Sequence, residues 1–110
     1  MELSDVSAFY GFPDGKVLSG TEYGTLLLWE GNFIKCLVNS SPEENCHKGN
    51  IEVVFRHNEQ IVTAGFDGYI RFWNSNAIDQ AEGDDNLNFY IKPLKEILIM
   101  TNETVFLLIF

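Results

Sequence analysis

The chain has 110 residues, of which 45% are hydrophobic and 14% aromatic, which is enough apolar content for one packed domain. Sixteen acidic residues against 7 basic ones give a formal net charge of −9, and this charge disfavours binding to nucleic acids or to anionic membrane surfaces. The longest apolar runs, residues 97–100 and 105–110, are far shorter than the roughly 20 residues that a membrane span needs.

The two cysteines point to a reducing compartment. Because residues 1–5 are polar and show no signal-peptide pattern, we expect an intracellular protein with free thiols. Cys36 lies in an apolar stretch and is expected to be a small buried side chain. The neighbours Cys46 and His47 have no second Cys/His pair at zinc spacing, so we predict neither a metal site nor a catalytic thiol.

Residues 5–38 have the pattern of a four-stranded antiparallel meander. Short apolar segments alternate with turns, of which Pro13-Asp14-Gly15 has the chemistry of a tight turn. The continuous run Leu26-Leu27-Leu28 is typical of a strand that is buried on both faces. The predicted strands of this first unit are residues 6–10, 16–20, 25–29 and 33–38.

The same cycle restarts after residues 39–48, a polar stretch that we interpret as an exposed linker. We assign residues 49–92 to a second unit, in which residues 74–86 form an acidic, solvated insertion without a strand pattern. The acidic spacing of that insertion does not fit an EF-hand loop, so we predict no calcium site. The predicted strands are residues 51–55, 60–63, 69–73 and 87–91.

Residues 93–110 are predicted to begin a third unit. Two apolar segments, residues 94–100 and 105–110, flank the polar residues 101–104, which is the pattern of a hairpin. On this prediction the chain stops inside the third unit.

The first two units are an internal repeat. Leu18 to Trp29 aligns with Val62 to Trp73 at an offset of 44 residues without a gap. A repeat of this period with glycine turns and a terminal tryptophan is typical of a β-propeller blade. The turn glycines are Gly20, Gly24, Gly65 and Gly68, and a strand rather than a helix follows each pair, so they do not form a phosphate-binding loop.

The second unit resembles the WD-repeat family of β-propellers. The stretch from His47 to Ile51 is similar to that family's Gly-His entry, with Cys46 in place of the glycine, and the turn from Thr63 to Gly68 and the Trp73-Asn74 ending also match. The resemblance implies a structural tetrad of four hydrogen-bonded side chains. Its members are His47, Thr63, Asp67 and Trp73.

The first unit departs from this pattern. Ser19 and Trp29 match the family, but Tyr23 stands in place of the turn aspartate and no histidine precedes Val6. We therefore expect no complete tetrad in the first unit.

The expected fold is all-β: an incomplete WD-repeat β-propeller with two four-stranded blades and the start of a third. Closed propellers have four to eight blades, so we interpret the chain as a fragment, a truncated gene product or a partial gene model. Repeat units bury their apolar faces only against neighbours. We therefore expect the isolated chain to oligomerise or aggregate.

A narrower resemblance is to ciliary WD-repeat proteins, and residues 13–31, 46–51, 62–73 and 90–94 carry it. It implies a non-enzymatic, cofactor-free scaffold of the axoneme that tethers an inner-arm dynein head to the doublet microtubule. Dynein, tubulin or a sister ciliary WD-repeat protein would be its partners. The alternatives are a generic WD-repeat adaptor of a ubiquitin ligase or trafficking complex, and a truncated product without independent function.

Overall fold

The computed structural model of the chain describes residues 6–99. Within this range, nine strands form two sheets, and there is one short helix. No helix of the described range is long and apolar enough to cross a bilayer. The elements are β1 Val6–Gly11, β2 Val17–Thr21, β3 Leu26–Glu30, β4 Phe33–Asn39, β5 Ile51–His57, β6 Gln60–Gly65, β7 Tyr69–Asn74, α1 Ser75–Asp79, β8 Asn88–Tyr90 and β9 Lys95–Leu98.

The first sheet has the strand order β1-β2-β3-β4-β8, and the second has the order β5-β6-β7-β9. Strands β1 to β4 form the predicted antiparallel meander, and β5 to β7 repeat its first three strands. The architecture confirms the predicted fold class, an incomplete all-β propeller-like domain.

The last two strands pair differently from the sequence-based prediction. Asn88–Tyr90 was expected to be the fourth strand of the second unit, but it pairs in parallel with β4 at the outer edge of the first sheet. Lys95–Leu98, which was expected to open a third unit, is instead the fourth strand of the second sheet, antiparallel to β7. Both assignments were therefore wrong, because sequential order does not fix which edge a short strand joins. The unit boundaries at residues 38, 48 and 92 otherwise stay predictions.

The acidic insertion is partly ordered and partly buried, in contrast to the predicted solvated loop. Asn74 accepts a hydrogen bond from the backbone N–H of Ala77 at 2.9 Å and so caps helix α1. Ile78 and Ala81 are buried in the main core. These few apolar side chains thus hold the insertion against the sheets. Residues 100–110, which include most of the predicted third-unit hairpin, lie outside the described residues.

The stretch expected to be an exposed linker is also partly buried. Residues 42–45 are exposed, and a bridge between Ser41 and Glu44 closes a tight turn. Cys46 and His47, in contrast, are almost fully buried. The interpretation as an exposed linker therefore holds only for residues 42–45 and for Lys48.

Strand β3 is buried on both faces, as the continuous apolar run predicts. Leu26, Leu27 and Leu28 have no exposed surface. Leu26 and Leu28 point into the core between the two sheets, whereas Leu27 belongs to the opposite face, where it is paired with Ser19. The first sheet is therefore buried on both faces along β3.

The two sheets pack face to face over one main core. Leu18 and Val38 from the first sheet belong to the same core cluster as Ile61 and Trp73 from the second, and all four side chains are buried. The sheets lie close together at Gly20, where a Cβ atom would lie 2.6 Å from Cγ2 of Ile51. Glycine at this position therefore lets β5 lie directly against the first sheet.

We predict that Gly20→Ala lowers the free energy of unfolding by about 1–3 kcal/mol, because the added methyl group forces the two sheets apart. Chemical denaturation of the 110-residue chain measures this change. The matched control is Gly11→Ala in β1, where a Cβ atom would meet nothing within 4 Å. Equal losses in the two variants would contradict close packing at Gly20.

Candidate functional site

Three of the four side chains of the predicted tetrad lie in the second unit, and His47 lies in the segment just before it. Thr63 lies on β6, Trp73 on β7, and Asp67 in the turn that joins these strands. Gly68 takes a φ of +84° in that turn, which a residue with a side chain rarely adopts. His47 reaches the site from the segment before β5. His47, Thr63 and Trp73 are at most 1% exposed.

The structure brings all four side chains together in one hydrogen-bonded chain. The indole Nε1–H of Trp73 donates to Oγ1 of Thr63 at 2.9 Å, and that oxygen lies 2.7 Å from Nε2 of His47. Nδ1 of His47 lies 3.0 Å from Oδ1 of Asp67. One assignment satisfies these three contacts: the Thr63 hydroxyl donates to Nε2, and Nδ1–H donates to the carboxylate.

The carboxylate of Asp67 gathers several further donors. It accepts the backbone N–H of Lys48 at 2.9 Å and that of Tyr69 at 3.2 Å. Burial raises the pKa of Asp67, but the hydrogen bonds from His47 and from the two backbone groups outweigh this effect and hold the pKa well below its usual range. Asp67 is thus an anion that closes the turn and orients the imidazole.

Arg71 completes the network, and the sequence-based prediction missed it. Its Nη1 donates to Oδ2 of Asp67 at 3.1 Å and to the carbonyl oxygen of Cys46 at 2.9 Å. The guanidinium also lies 4.3 Å from the ring centroid of Tyr69 and pairs with Glu96 at 3.4 Å. A signal was present: Arg71 is the one charge in β7 and lies two residues before Trp73, so on the same face of the strand.

The first unit keeps only half of the tetrad. Nε1–H of Trp29 donates to Oγ of Ser19 at 2.8 Å, but Tyr23, in place of the turn aspartate, is 58% exposed. The hydroxyl of Thr21 holds this turn instead, since it lies 3.3 Å from the backbone nitrogens of Tyr23 and Thr25. The sequence pattern predicted the Ser19–Trp29 pair but not the role of Thr21.

Two turn glycines make room for the histidine. The carbonyl oxygen of Gly24 accepts a hydrogen bond from the backbone N–H of His47 at 3.1 Å. Gly24 has a φ of +92°, and a Cβ atom there would collide with the His47 carbonyl. A Cβ atom at Gly65 would lie 2.7 Å from Cγ of His47. The segment that carries His47 is therefore held between the turn of the first sheet and the turn of the second.

No protein-family model matches the chain. Curated relatives carry one shared name, cilia- and flagella-associated protein 44. The mouse protein is 39% identical over 107 residues, which is 96% of this chain and 6% of the mouse protein. The Trypanosoma brucei brucei protein is 36% identical over 120 residues, covering 90% of this chain and 7% of its own length. The Chlamydomonas reinhardtii protein is 54% identical over 54 residues, or 49% of this chain.

The chain is homologous to a segment of cilia- and flagella-associated protein 44. This finding confirms the resemblance to a ciliary protein, whereas the WD-repeat assignment stays a prediction. The chain spans only 6–7% of the length of the mouse and trypanosome proteins. Because the mouse alignment covers 96% of the chain, the segment shared with cilia- and flagella-associated protein 44 includes all four tetrad positions.

The chemistry of the site is that of a closed network. Thr63 is fully buried and its hydroxyl is engaged by both Trp73 and His47, so no substrate reaches it. Burial raises the pKa of the Cys46 thiol to about 12 and also raises the pKa of Cys36. Within residues 6–99 no group of three or more His, Cys, Asp or Glu side chains is placed to hold a metal ion.

We predict that Thr63→Val destabilises the chain by about 1–3 kcal/mol, because it leaves both the Trp73 indole and Nε2 of His47 without a buried partner. Chemical denaturation measures the loss. Thr63→Ser is the control and keeps most of the stability, since Ser19 shows that a serine hydroxyl accepts the indole N–H in the same geometry. Equal unfolding midpoints for Thr63→Val and the unmodified chain would contradict a stabilising tetrad.

The lowered pKa of Asp67 predicts acid sensitivity. A carboxyl group whose pKa is lower in the folded state stabilises the fold fully above its unfolded pKa of about 3.9. That stabilisation is lost as the pH falls from there through the folded pKa. We therefore expect the unfolding free energy of Asp67→Asn to fall less steeply below about pH 4 than that of the unmodified chain. Thr63→Val, which removes no charge, keeps the steep fall, and parallel profiles for Asp67→Asn and the unmodified chain would contradict the prediction.

Proposed function

We propose that the chain is part of a non-enzymatic protein-interaction scaffold of cilia and flagella. The observation that carries this proposal is the homology to cilia- and flagella-associated protein 44 in mouse, a trypanosome and a green alga. All three relatives are named for the same organelle. A chain similar to all of them over a folded segment is best assigned to that organelle as well.

The character of the site supports a scaffold rather than an enzyme. The buried polar groups bind one another, and both cysteine thiols are held protonated by burial. A buried network of this kind fixes strand register and turn conformation when every member is satisfied. The outer strands and turn tips, in contrast, present exposed apolar side chains, among them Phe9, Tyr23 and Phe66.

The finer proposal concerns the partners. The resemblance to axonemal WD-repeat proteins favours a role in tethering an inner-arm dynein head to the doublet microtubule. Dynein, tubulin or a sister ciliary WD-repeat protein would then contact the scaffold. The net charge of −9 suits a basic partner surface.

The test is to tag the chain in its natural context in flagellated cells and follow it by microscopy and fractionation. We expect the tagged protein in cilia or flagella, retained with the axoneme after detergent extraction, and we expect dynein and tubulin to co-purify with it. The tag alone is the control. Confinement to nuclei or to diffuse cytosol would contradict the ciliary assignment. Co-purification with cullin or coat subunits would favour the adaptor alternative.

A further inference from the structure

The outer edge of the first sheet is covered by an added strand. The segment after α1 leaves the second sheet, and its strand β8 pairs in parallel with β4. The backbone N–H of Leu37 donates to the carbonyl of Leu87 at 2.7 Å, and that of Ile91 donates to the carbonyl of Asn39 at 3.0 Å. The fold thus uses the outward edge of a fourth strand as a docking site for an extended segment.

Strand β9 is the repeat equivalent of β4 in the second sheet. The offset of 44 residues relates β3 to β7, and β4 and β9 each pair antiparallel to the outer side of these strands. Within residues 6–99, no strand pairs with the other edge of β9. All four β9 side chains are exposed. The second sheet therefore has, in its described part, an open edge where the first has a covered one.

The register shows which backbone groups this open edge offers. The backbone N–H of Ile99 donates toward β7, to the carbonyl of Gly68 at 2.6 Å. Because the direction of backbone groups alternates along a strand, the N–H and C=O groups of Glu96 and Leu98 point outward. Glu96 corresponds to Leu37 in the first sheet, and the N–H of Leu37 binds β8.

An apolar hollow lies on one face of the second sheet and extends across it to β9. It has a volume of about 410 Å³, and its lining includes Phe55, Phe72, Ile97 and Ile99. In the first sheet, the apolar side chains Phe89 and Ile91 of the added strand pack against the core. Alternate side chains of a strand added to β9 would border this hollow next to Ile97.

We propose that the outer edge of β9 docks an extended segment of a partner protein, which pairs with it in parallel, carries apolar side chains at alternate positions and has a net positive charge. Self-association, which we expect of the isolated chain, could also cover this edge, but a formal charge of −9 on each copy disfavours a second copy as the occupant. The inference deepens the proposed scaffold function by naming the contact surface. The binding itself does not depend on the ciliary location.

The test uses a synthetic peptide of residues 87–93 with blocked ends. This sequence already pairs in parallel with a fourth strand, carries Phe89 and Ile91 at alternate positions, and has one positive charge, at Lys92. It is titrated into the isotope-labelled 110-residue chain and followed by NMR. We expect saturable shifts centred on the amides of Glu96 and Leu98.

Two backbone-methylated peptides test the pairing without altering the protein. N-methylation at Ile91 removes an N–H that points toward the paired strand, so we expect about tenfold weaker binding, the effect of roughly one lost hydrogen bond. N-methylation at Tyr90 affects the opposite edge of the peptide and leaves the affinity unchanged. Equal effects of the two peptides would overturn the proposal.

Variants of the protein provide an independent test of the pairing. Glu96→Pro removes the outward N–H and should abolish binding, whereas Glu96→Ala keeps the N–H, loses the contact to Arg71 and should bind normally. Shifts centred on β4 would mean strand exchange there and would overturn the proposal. The proposal would also be overturned if the amides of Glu96 and Leu98 were already protected from hydrogen exchange before any peptide is added. Such protection would mean that the chain's own residues or a second copy already occupy the edge. A non-ciliary location would overturn the proposed function and leave this titration unchanged.

Discussion

The position of His47 is the constraint on which both sheets depend. Its imidazole binds Thr63 and Asp67 of the second sheet, while its backbone N–H donates to Gly24 in a turn of the first. One residue thus fixes the turn of each sheet and the segment between them. Burial makes the arrangement demanding, because His47, Thr63 and Trp73 are at most 1% exposed, and any of them that loses its partner is left with an unsatisfied buried polar group.

A second connection ties the same two sheets at their outer side. The residues between β7 and β9 cross to the first sheet, add β8 to its edge and return. Two acidic residues of this crossing pair with lysines: Asp79 lies 3.0 Å from Lys16, just before β2, and Glu82 lies 3.5 Å from Lys35 on β4. Asp84 accepts the backbone N–H groups of Asn86 and Asn88 at 2.9 Å each. Much of the acidic character of the insertion therefore has a local structural use.

The features that recur with the repeat, namely the first seven strands and the tetrad residues, could be predicted from the sequence. Alternating apolar patterns and glycine turns gave the strands β1 to β7, and the offset of 44 residues brought the tetrad members into alignment. The pairing of β8 and β9 was not predictable in this way, because strands of three and four residues have too short a pattern to specify an edge or a direction. Arg71 was missed for a related reason, since its partners Asp67 and Cys46 become neighbours only once the turn has closed.

These two connections change how the units relate to each other. The repeat suggests two blades joined by a linker, but the His47 segment and the crossing segment each contact both sheets, and the core between the sheets is shared. Unfolding of either sheet would expose the buried partners of the other, so the two should unfold together. In a long ciliary protein, such coupling would hold neighbouring units in a fixed orientation, which is the property that a scaffold for other proteins requires.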